Sequence, residues 1–325
     1  MKKIRVNYIF RKRGEGHNSI EELFHSIISC LPEHIDPHVV ELPYSGASLK
    51  AVVLNIWHVL FLKGVIHVTG DVYYIGLIPF KKTIITVHDV KFIKGSPIKK
   101  YLLNLLWLVL PGLISKKISI ISRFSKEEYL KIVPSASKKV EVIYNPVNPL
   151  LKKCLKTVSQ TPIILHLGTK ENKNLENTIK ALVGIKCKLF IVGKLSKHQL
   201  YMLKLNNVKY ENFLNIDFVE IKSLYELCDI VSFASYYEGF GMPIIEANKV
   251  GRVLITSKRA AIPEIAVNAV HYVDPNDVDD MRNGFIKVIN DDTYRNKLIN
   301  LGLENVKRFE IEAVVSAYAK MYQFN

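Results

Sequence analysis

Two series of short apolar runs, each run followed by a longer stretch with helical periodicity, constrain this chain more than any other feature. In the first series the strand-like runs are Ile4–Phe10, His38–Leu42, Val65–Thr69, Thr83–Val87, Ile118–Ser122 and Val140–Ile143. Helical patterns lie between them at Ser19–Ser29, Leu49–Leu62, Lys99–Ile114 and Ser125–Val133. The alternation then restarts, with strands expected at Ile163–Leu167, Lys188–Val192, Val208–Tyr210, Ile230–Ala234, Val253–Thr256 and Ala269–Val273, and one long helical tail over Asp291–Tyr322. Apolar strands alternating with helices predict parallel, doubly wound sheets, because a strand buried on both faces reads as a continuous apolar run. Pro146 and Pro149, followed by a polar stretch at 152–160, mark a linker. The 325 residues therefore divide into an N-terminal α/β domain at 1–152, a second at 153–305, and a C-terminal helix at 306–325 expected to return toward the first. Ligands of such domains bind at the carboxyl ends of the strands, here in a crevice expected between the two.

Charge and cysteine content narrow the class. The net charge of +15 is uneven: residues 1–155 hold 23 Lys/Arg against 11 Asp/Glu, and residues 156–325 hold 22 against 19. The first half should therefore attract anionic lipid or phosphorylated compounds. It lacks the interleaved aromatic and basic residues of single-strand readers, so no nucleic-acid partner is expected. Four scattered cysteines, at 30, 154, 187 and 228, form no CxxC pair and read as free thiols of a cytoplasmic protein. The amino-terminal run is interrupted at Arg11–Glu15 and reads as a strand, and no run reaches the ~20 apolar residues of a membrane span.

The most informative segment is Ser235-Tyr236-Tyr237-Glu238-Gly239-Phe240-Gly241-Met242-Pro243-Ile244-Ile245-Glu246-Ala247, which leaves a strand and opens a helix. Gly239 and Gly241 permit tight turns and close ligand approach, and Pro243 suits a first helical turn. Backbone N–H groups at such a helix start can hold a diphosphate. Glu238 on the loop and Glu246 in the helix can then accept hydrogen bonds from hydroxyls at two heights of one ligand.

This segment resembles the E-x7-E element of the retaining family 4 glycosyltransferases, whose fold is GT-B: two Rossmann-like doubly wound domains facing a central cleft. The likeness extends to Leu224–Asp229 before the strand, to Ile262-Pro263-Glu264-Ile265 and to Val273-Asp274-Pro275 after the helix. The resemblance implies that Gly239, Phe240, Gly241, Met242, Pro243 and Glu246 bind a nucleotide diphosphate sugar and that Glu238 holds the sugar. It also implies a basic phosphate site in Gly168-Thr169-Lys170-Glu171-Asn172-Lys173. There Lys173 matches the family lysine, Asn172 stands where the family has arginine, and Lys170 is expected to supply the second charge. In the first half, Gly14 and Gly16 of Arg13–Ser19 resemble the family's first glycine loop. His88 and Asp89 resemble its HD element, with catalytic contacts to donor sugar and acceptor. Ser122–Glu127 and Val142–Val147 fit the family as well, with Pro146 replacing the usual glycine of the hinge. Ser125 with Glu128 is expected to form a capping box.

Arg13–Ser19 also fits a dinucleotide fingerprint, with Glu41 as the acid such a site requires, so that alternative stays open from the residues alone. Asp277-Val278-Asp279 has the letters of a metal-binding DxD but falls where a helix cap is expected. No metal and no cofactor are assigned, the nucleotide sugar being a substrate. The implied activity is a retaining, metal-independent transfer of a hexose-type sugar from a UDP- or GDP-linked donor to a glycan or lipid-linked acceptor of cell-surface polysaccharide. An epimerase on the same fold and a non-catalytic membrane-surface protein are the alternatives. Leu49–Leu62 and Lys99–Lys117 are apolar but too short to span a bilayer. The second, with Trp107 in the middle and lysines at both ends, is expected to lie on an anionic membrane surface, or else to be core.

Overall fold

The structure is a computed structural model, and it describes residues 3–12, 19–46, 48–90, 101, 103–154 and 156–324. Gly14, Gly16, Lys99 and Lys100 lie outside the described residues. The strands are β1 (Ile4–Phe10), β2 (Ile35–Glu41), β3 (Val65–Val68), β4 (Lys82–Val87), β5 (Lys117–Ile120), β6 (Val140–Val142), β7 (Ile163–Leu167), β8 (Lys188–Val192), β9 (Tyr210–Phe213), β10 (Ile230–Phe233), β11 (Val253–Ser257) and β12 (His271–Val273). They form two all-parallel sheets of six, in the orders β2-β1-β3-β4-β5-β6 and β12-β11-β10-β7-β8-β9. Each sheet has one switch point, between β1 and β3 in the first and between β7 and β10 in the second, where the chain's direction across the sheet reverses. The two-domain α/β architecture read from the alternation is therefore the observed one. The strand runs are found within about three residues of their expected bounds, a scatter ordinary for element ends.

The chain divides into two compact units, residues 1–146 with 311–325, and residues 147–310. In the first, the helices are α1 (Ser19–Ser29), α2 (Leu49–Leu60), α3 (Leu110–Ile114) and α4 (Arg123–Ile132). In the second they are α5 (Leu175–Ala181), α6 (Lys197–Leu205), α7 (Phe218–Leu227), α8 (Met242–Val250), α9 (Ile262–Ala266), α10 (Val278–Asn290) and α11 (Asp292–Asn305). The last helix, α12 (Ile311–Met321), returns to the first unit, where Val314, Val315, Tyr318 and Met321 join Val6, Tyr8 and Phe24 in one apolar cluster. A buried polar chain fixes it there. Tyr322 Oη lies 2.8 Å from both Tyr8 Oη and His67 Nδ1, His67 Nε2 lies 2.7 Å from Thr86 Oγ1, and Thr86 Oγ1 lies 2.6 Å from Ser119 Oγ. Each member is buried and satisfied by the next, so the helix end is tied to β1, β3, β4 and β5 together.

Three local expectations are corrected. The tail over Asp291–Tyr322 is two helices, because residues Val306–Phe309 tighten into a 3-10 turn and Glu310 is extended. Phe309 is fully buried there against Phe240, with ring centroids 5.7 Å apart, and its carbonyl accepts from Val147 N at 2.8 Å. Helical propensity yields to that packing. α4 starts two residues before the expected Ser125: Ser122 is the N-cap and its hydroxyl accepts from Ser125 N at 3.0 Å, so Ser125 is not the capping residue. The stretch around Trp107 is not a regular α-helix. Leu105–Val109 is a π turn, Leu110 N donating to Leu105 O five residues back, followed by Pro111 at the start of α3.

Candidate functional site

In the second unit the loops after β7 and β10 leave adjacent strands on either side of the switch point, and side chains lock them together. Asn172 O accepts from Tyr236 N at 2.9 Å, and Asn172 Nδ2 donates to Tyr237 O at 3.1 Å. Asn174, in the left-handed region at φ +60°, donates from Nδ2 to Ala234 O at 3.1 Å and to Pro275 O at 2.7 Å. Asn172 is thus a strut between the two loops, while Thr169 holds the first loop to the end of β8, its hydroxyl donating to Lys194 O at 2.7 Å. Gly168 sits at φ +91°, where a Cβ would come within 3.0 Å of the Lys173 side chain, so glycine is required to let that lysine fold back over the strand end.

Lys173 Nζ lies 2.7 Å from Glu238 Oε1 and 5.1 Å from the centre of the Phe233 ring. Both partners of the ion pair are largely buried, which strengthens the attraction over that of a surface pair. Lys170, in contrast, is exposed at the start of the turn that carries Lys173. Glu238 leads through Gly239 and Phe240 to Gly241, the left-handed N-cap of α8 at φ +108°, and the helix opens with Met242 and Pro243. Phe240 itself is buried on Phe309, so only its backbone faces the turn side of this segment.

Glu246, in the second turn of α8, is 8% exposed, and its Oε2 accepts from Tyr225 Oη at 2.6 Å. Burial holds its carboxyl up at about 7. The Tyr225 hydrogen bond and the charge of Lys173 oppose that rise without cancelling it. Glu246 is therefore poised between neutral and ionised forms at neutral pH. Tyr225 is pushed up in turn by burial and by the carboxyl beside it, so it stays a hydroxyl donor. Lys173 is thus the common neighbour of two carboxyls eight residues apart. Sequence reading named all three but gave no role to Tyr225, whose contact with Glu246 crosses from α7 to α8.

In the first unit, His88 and Asp89 follow β4, both half-buried. His88 Nε2 lies 2.8 Å from Thr69 O, an acceptor, so Nε2 carries the proton and Nδ1 has acceptor character. Burial lowers the imidazole to about 4, so it is neutral near pH 7. An ion cluster that no local motif announces lies beside it. Arg11, just past β1, makes a two-point contact with Glu21, 2.8 Å from Nε to Oε1 and 3.0 Å from Nη2 to Oε2, and reaches Asp71 at 3.3 Å. Only the fold brings residues 11, 21 and 71 to the switch-point end of this sheet.

Asp277 does what its place as a cap predicts: its carboxylate accepts from Asp279 N at 2.9 Å and Asp280 N at 3.0 Å, opening α10. Among the described residues no group of three or more His, Cys, Asp or Glu is placed to hold a metal ion. Leu106, Leu113 and Ile114 of the Lys99–Lys117 stretch are exposed, but Trp107, expected at the centre of a membrane-facing helix, is not on the surface. It is 8% exposed, its Nε1 donates to Asp71 O at 3.0 Å, and its ring meets Tyr74 edge-on at 5.2 Å, so it belongs to the core. Among the described residues no helix is long and apolar enough to cross a membrane.

Known proteins are similar to this chain in sequence and in fold. Residues 149–304 match the sequence profile of the family described as glycosyl transferases group 1. O-antigen chain mannosyltransferase B of Escherichia coli is 31% identical over 104 residues, which is 32% of this chain and 27% of that protein. An uncharacterised glycosyltransferase of Methanocaldococcus jannaschii is 27% identical over 212 residues, covering 57% of this chain and 54% of that one. The aligned region thus spans about half the length of these curated relatives or less. Over whole chains, the structure is similar to that of HepE from Anabaena, solved with UDP and glucose, at TM-score 0.78, 16% identity and 98% coverage of each chain. It is also similar to WaaG, a glycosyltransferase involved in lipopolysaccharide biosynthesis, at TM-score 0.76, 12% identity and coverage of 99% and 100%. The second unit is accordingly similar in sequence to glycosyl transferases group 1, in a chain whose two Rossmann-like units have the GT-B fold.

Proposed function

We propose that this protein is a retaining, metal-independent glycosyltransferase of family 4. It moves a hexose-type sugar from a UDP- or GDP-linked donor to a glycan or lipid-linked acceptor in cell-surface polysaccharide assembly on the cytoplasmic side. The observation that carries this reading is the Lys173–Glu238 pair beside the N-terminus of α8, at the switch point of the second sheet, with Glu246 one turn into the helix. In this reading the donor's diphosphate draws Lys173 from Glu238 and meets the N–H groups of the first turn of α8. Glu238, released, accepts from sugar hydroxyls, and ionised Glu246 accepts from ribose hydroxyls. Lys173, with Lys170 approaching from its exposed turn, balances the negative charge that grows on the leaving diphosphate. The acceptor oxygen attacks the face that the leaving group departs, and the departing phosphate oxygen takes its proton, so no protein nucleophile is needed. His88, neutral and donating from Nε2 to Thr69, offers Nδ1 as an acceptor to a substrate hydroxyl, and Asp89 orients the acceptor. The names of two relatives, an O-antigen chain mannosyltransferase and a serotype-specific mannosyltransferase, and the UDP and glucose bound to HepE support this donor and pathway class.

The test is a thermal-shift screen of the full chain against UDP-, GDP- and ADP-sugars, since a ligand that binds only the native state raises its melting temperature. One donor class should give a saturable rise, and Glu246→Ala should abolish it. No rise with any nucleotide sugar, or a rise undiminished in the variant, would overturn the reading.

A further inference from the structure

α2 is buried along one face and apolar along another. Ala51, Asn55 and Val59 are buried against the first sheet, while Leu49, Val53, Trp57 and Phe61, also spaced four apart, form a second stripe that faces outward. Leu49 is 80% exposed, Trp57 62% and Phe61 67%, and the two rings meet edge-on at 5.3 Å. A helix of a water-soluble surface carries polar residues on that side. The stripe is extended by Phe80, fully exposed on a left-handed backbone at φ +62°, a conformation that costs a bulky residue energy and here turns an aromatic ring to solvent. Its turn lies at the carboxyl end of α2, because Lys81 Nζ donates to Leu62 O at 2.9 Å.

The charge around this stripe has one sign. Between Leu42 and His88 the chain holds four lysines, at 50, 63, 81 and 82, and a single carboxylate, Asp71, which is paired with Arg11. Lys50 and Lys63 flank the two ends of the stripe and both are exposed. The helix is 12 residues long, well under the ~20 needed to span a bilayer. An apolar stripe with aromatic rings and a lysine at each end, too short to cross, has the composition of a helix that lies in the interface of an anionic bilayer.

We propose that the Leu49–Val53–Trp57–Phe61 face of α2, with Phe80, docks the first unit on an anionic lipid surface. The rings enter the boundary between headgroups and acyl chains, and Lys50 and Lys63 meet lipid phosphates. The docking element is thus placed on α2, whose Trp57 is exposed where Trp107 is buried. This inference stands apart from the donor site and is tested without it. Full-length protein is sedimented with phosphatidylcholine vesicles with and without about 30% phosphatidylglycerol, the anionic component that should draw the lysines. The wild type should pellet with the anionic vesicles, and raising salt should weaken binding, since screening acts on exposed charges. Trp57→Ser with Phe61→Ser should cut the vesicle association constant about tenfold or more, and Lys50→Glu with Lys63→Glu should remove the preference for anionic lipid. Brominated lipid should quench part of the wild-type tryptophan emission, that of Trp57, and leave the core Trp107 emitting. Three results would overturn the proposal: no binding to either vesicle, no quenching, or binding unchanged in the aromatic variant. Self-association without vesicles that the aromatic variant abolishes would overturn it too, by assigning the face to a second copy of the chain.

Discussion

Lys173 is the residue that the two carboxyls of the proposed donor site share, and it is held there by Gly168 behind it and Phe233 beneath it. Lys173→Ala should lower turnover by about 10²–10³-fold, the usual loss when a group that stabilises transition-state charge is removed. A steady-state assay of nucleotide diphosphate release reads this, and an activity within a few-fold of wild type would remove Lys173 from that role. Tyr225 supports a subtler test. Its hydrogen bond lowers the Glu246 carboxyl toward its ordinary range, so Tyr225→Phe raises it further above about 7. If donor binding requires the ionised acceptor, affinity strengthens as pH rises through about 7 in the wild type, and the variant should shift that profile upward by roughly half a unit to one unit. Calorimetric titration of the donor between pH 6 and 8.5 measures the shift, roughly the window in which a carboxyl near 7 changes state. A loss of affinity equal at every pH would mean a purely structural role. Glu238 and Glu246 stood out in the sequence because their residue types and spacing are local, and Lys173 because its loop resembles the family's basic phosphate loop. Tyr225, Asn172 and Asn174 were not, because each acts through a partner at least 20 positions away that only the sheet order brings near.

At the scale of the element, α8 shows what local chemistry can and cannot specify. Gly241, Pro243 and the apolar strand before them announce a turn into a helix, and the structure places the N-cap at Gly241. At φ +108° a side chain is strained, and a Cβ would lie 2.8 Å from Ile244 Cδ1. Gly241→Ala should therefore destabilise by about 1–3 kcal/mol and tilt the first turn of α8, weakening donor affinity as well. Gly46→Ala is the control: it shares a left-handed φ, +83°, but a Cβ there meets nothing within 4 Å. It should cost less and leave donor affinity unchanged, and urea unfolding with donor titration of both variants decides. The misread elements share one cause. Around Trp107, over Val306–Phe309 and at the start of α4, the outcome was set by which surface the residues found to pack on or which hydroxyl reached a backbone donor. Periodicity shows that a helix has an apolar face and is silent on whether that face meets core or solvent. α2 and the Trp107 stretch read alike in sequence for this reason.

For the whole molecule, the two units should answer acid differently. In the first, burial lowers His67 to about 3 and His88 to about 4, so both stay neutral in the folded state while the unfolded chain takes up their protons below about 6.5. The unfolded state then binds about two more protons, and stability falls by about 2.7 kcal/mol per pH unit as pH drops from roughly 6 toward 4.5. In the second unit His166, lowered to about 3 by burial, acts in the same sense, and His271, also lowered by burial, adds to it. Glu246 acts against them. Held up at about 7, it keeps its proton in the folded state over the range where the unfolded chain has lost it, so its contribution grows more favourable as pH falls from about 7 toward 4.5. The second unit's slope should therefore be shallower than the first's by at least about one proton, or about 1.4 kcal/mol per pH unit. Both tryptophans, Trp57 and Trp107, lie in the first unit, so tryptophan fluorescence follows that unit alone. Hydrogen exchange of peptides from 147–310 follows the other. Between pH 6.5 and 5 the fluorescence midpoint in urea should fall faster than the protection of the second unit, which is the interval where the histidines and Glu246 oppose each other. Glu246→Gln, with no group to protonate, should steepen the second unit's acid loss toward the first's. Equal slopes in the wild type, unchanged by that substitution, would mean that Glu246 is ionised in the folded state throughout, and the tuned carboxyl at the donor site would have to be abandoned.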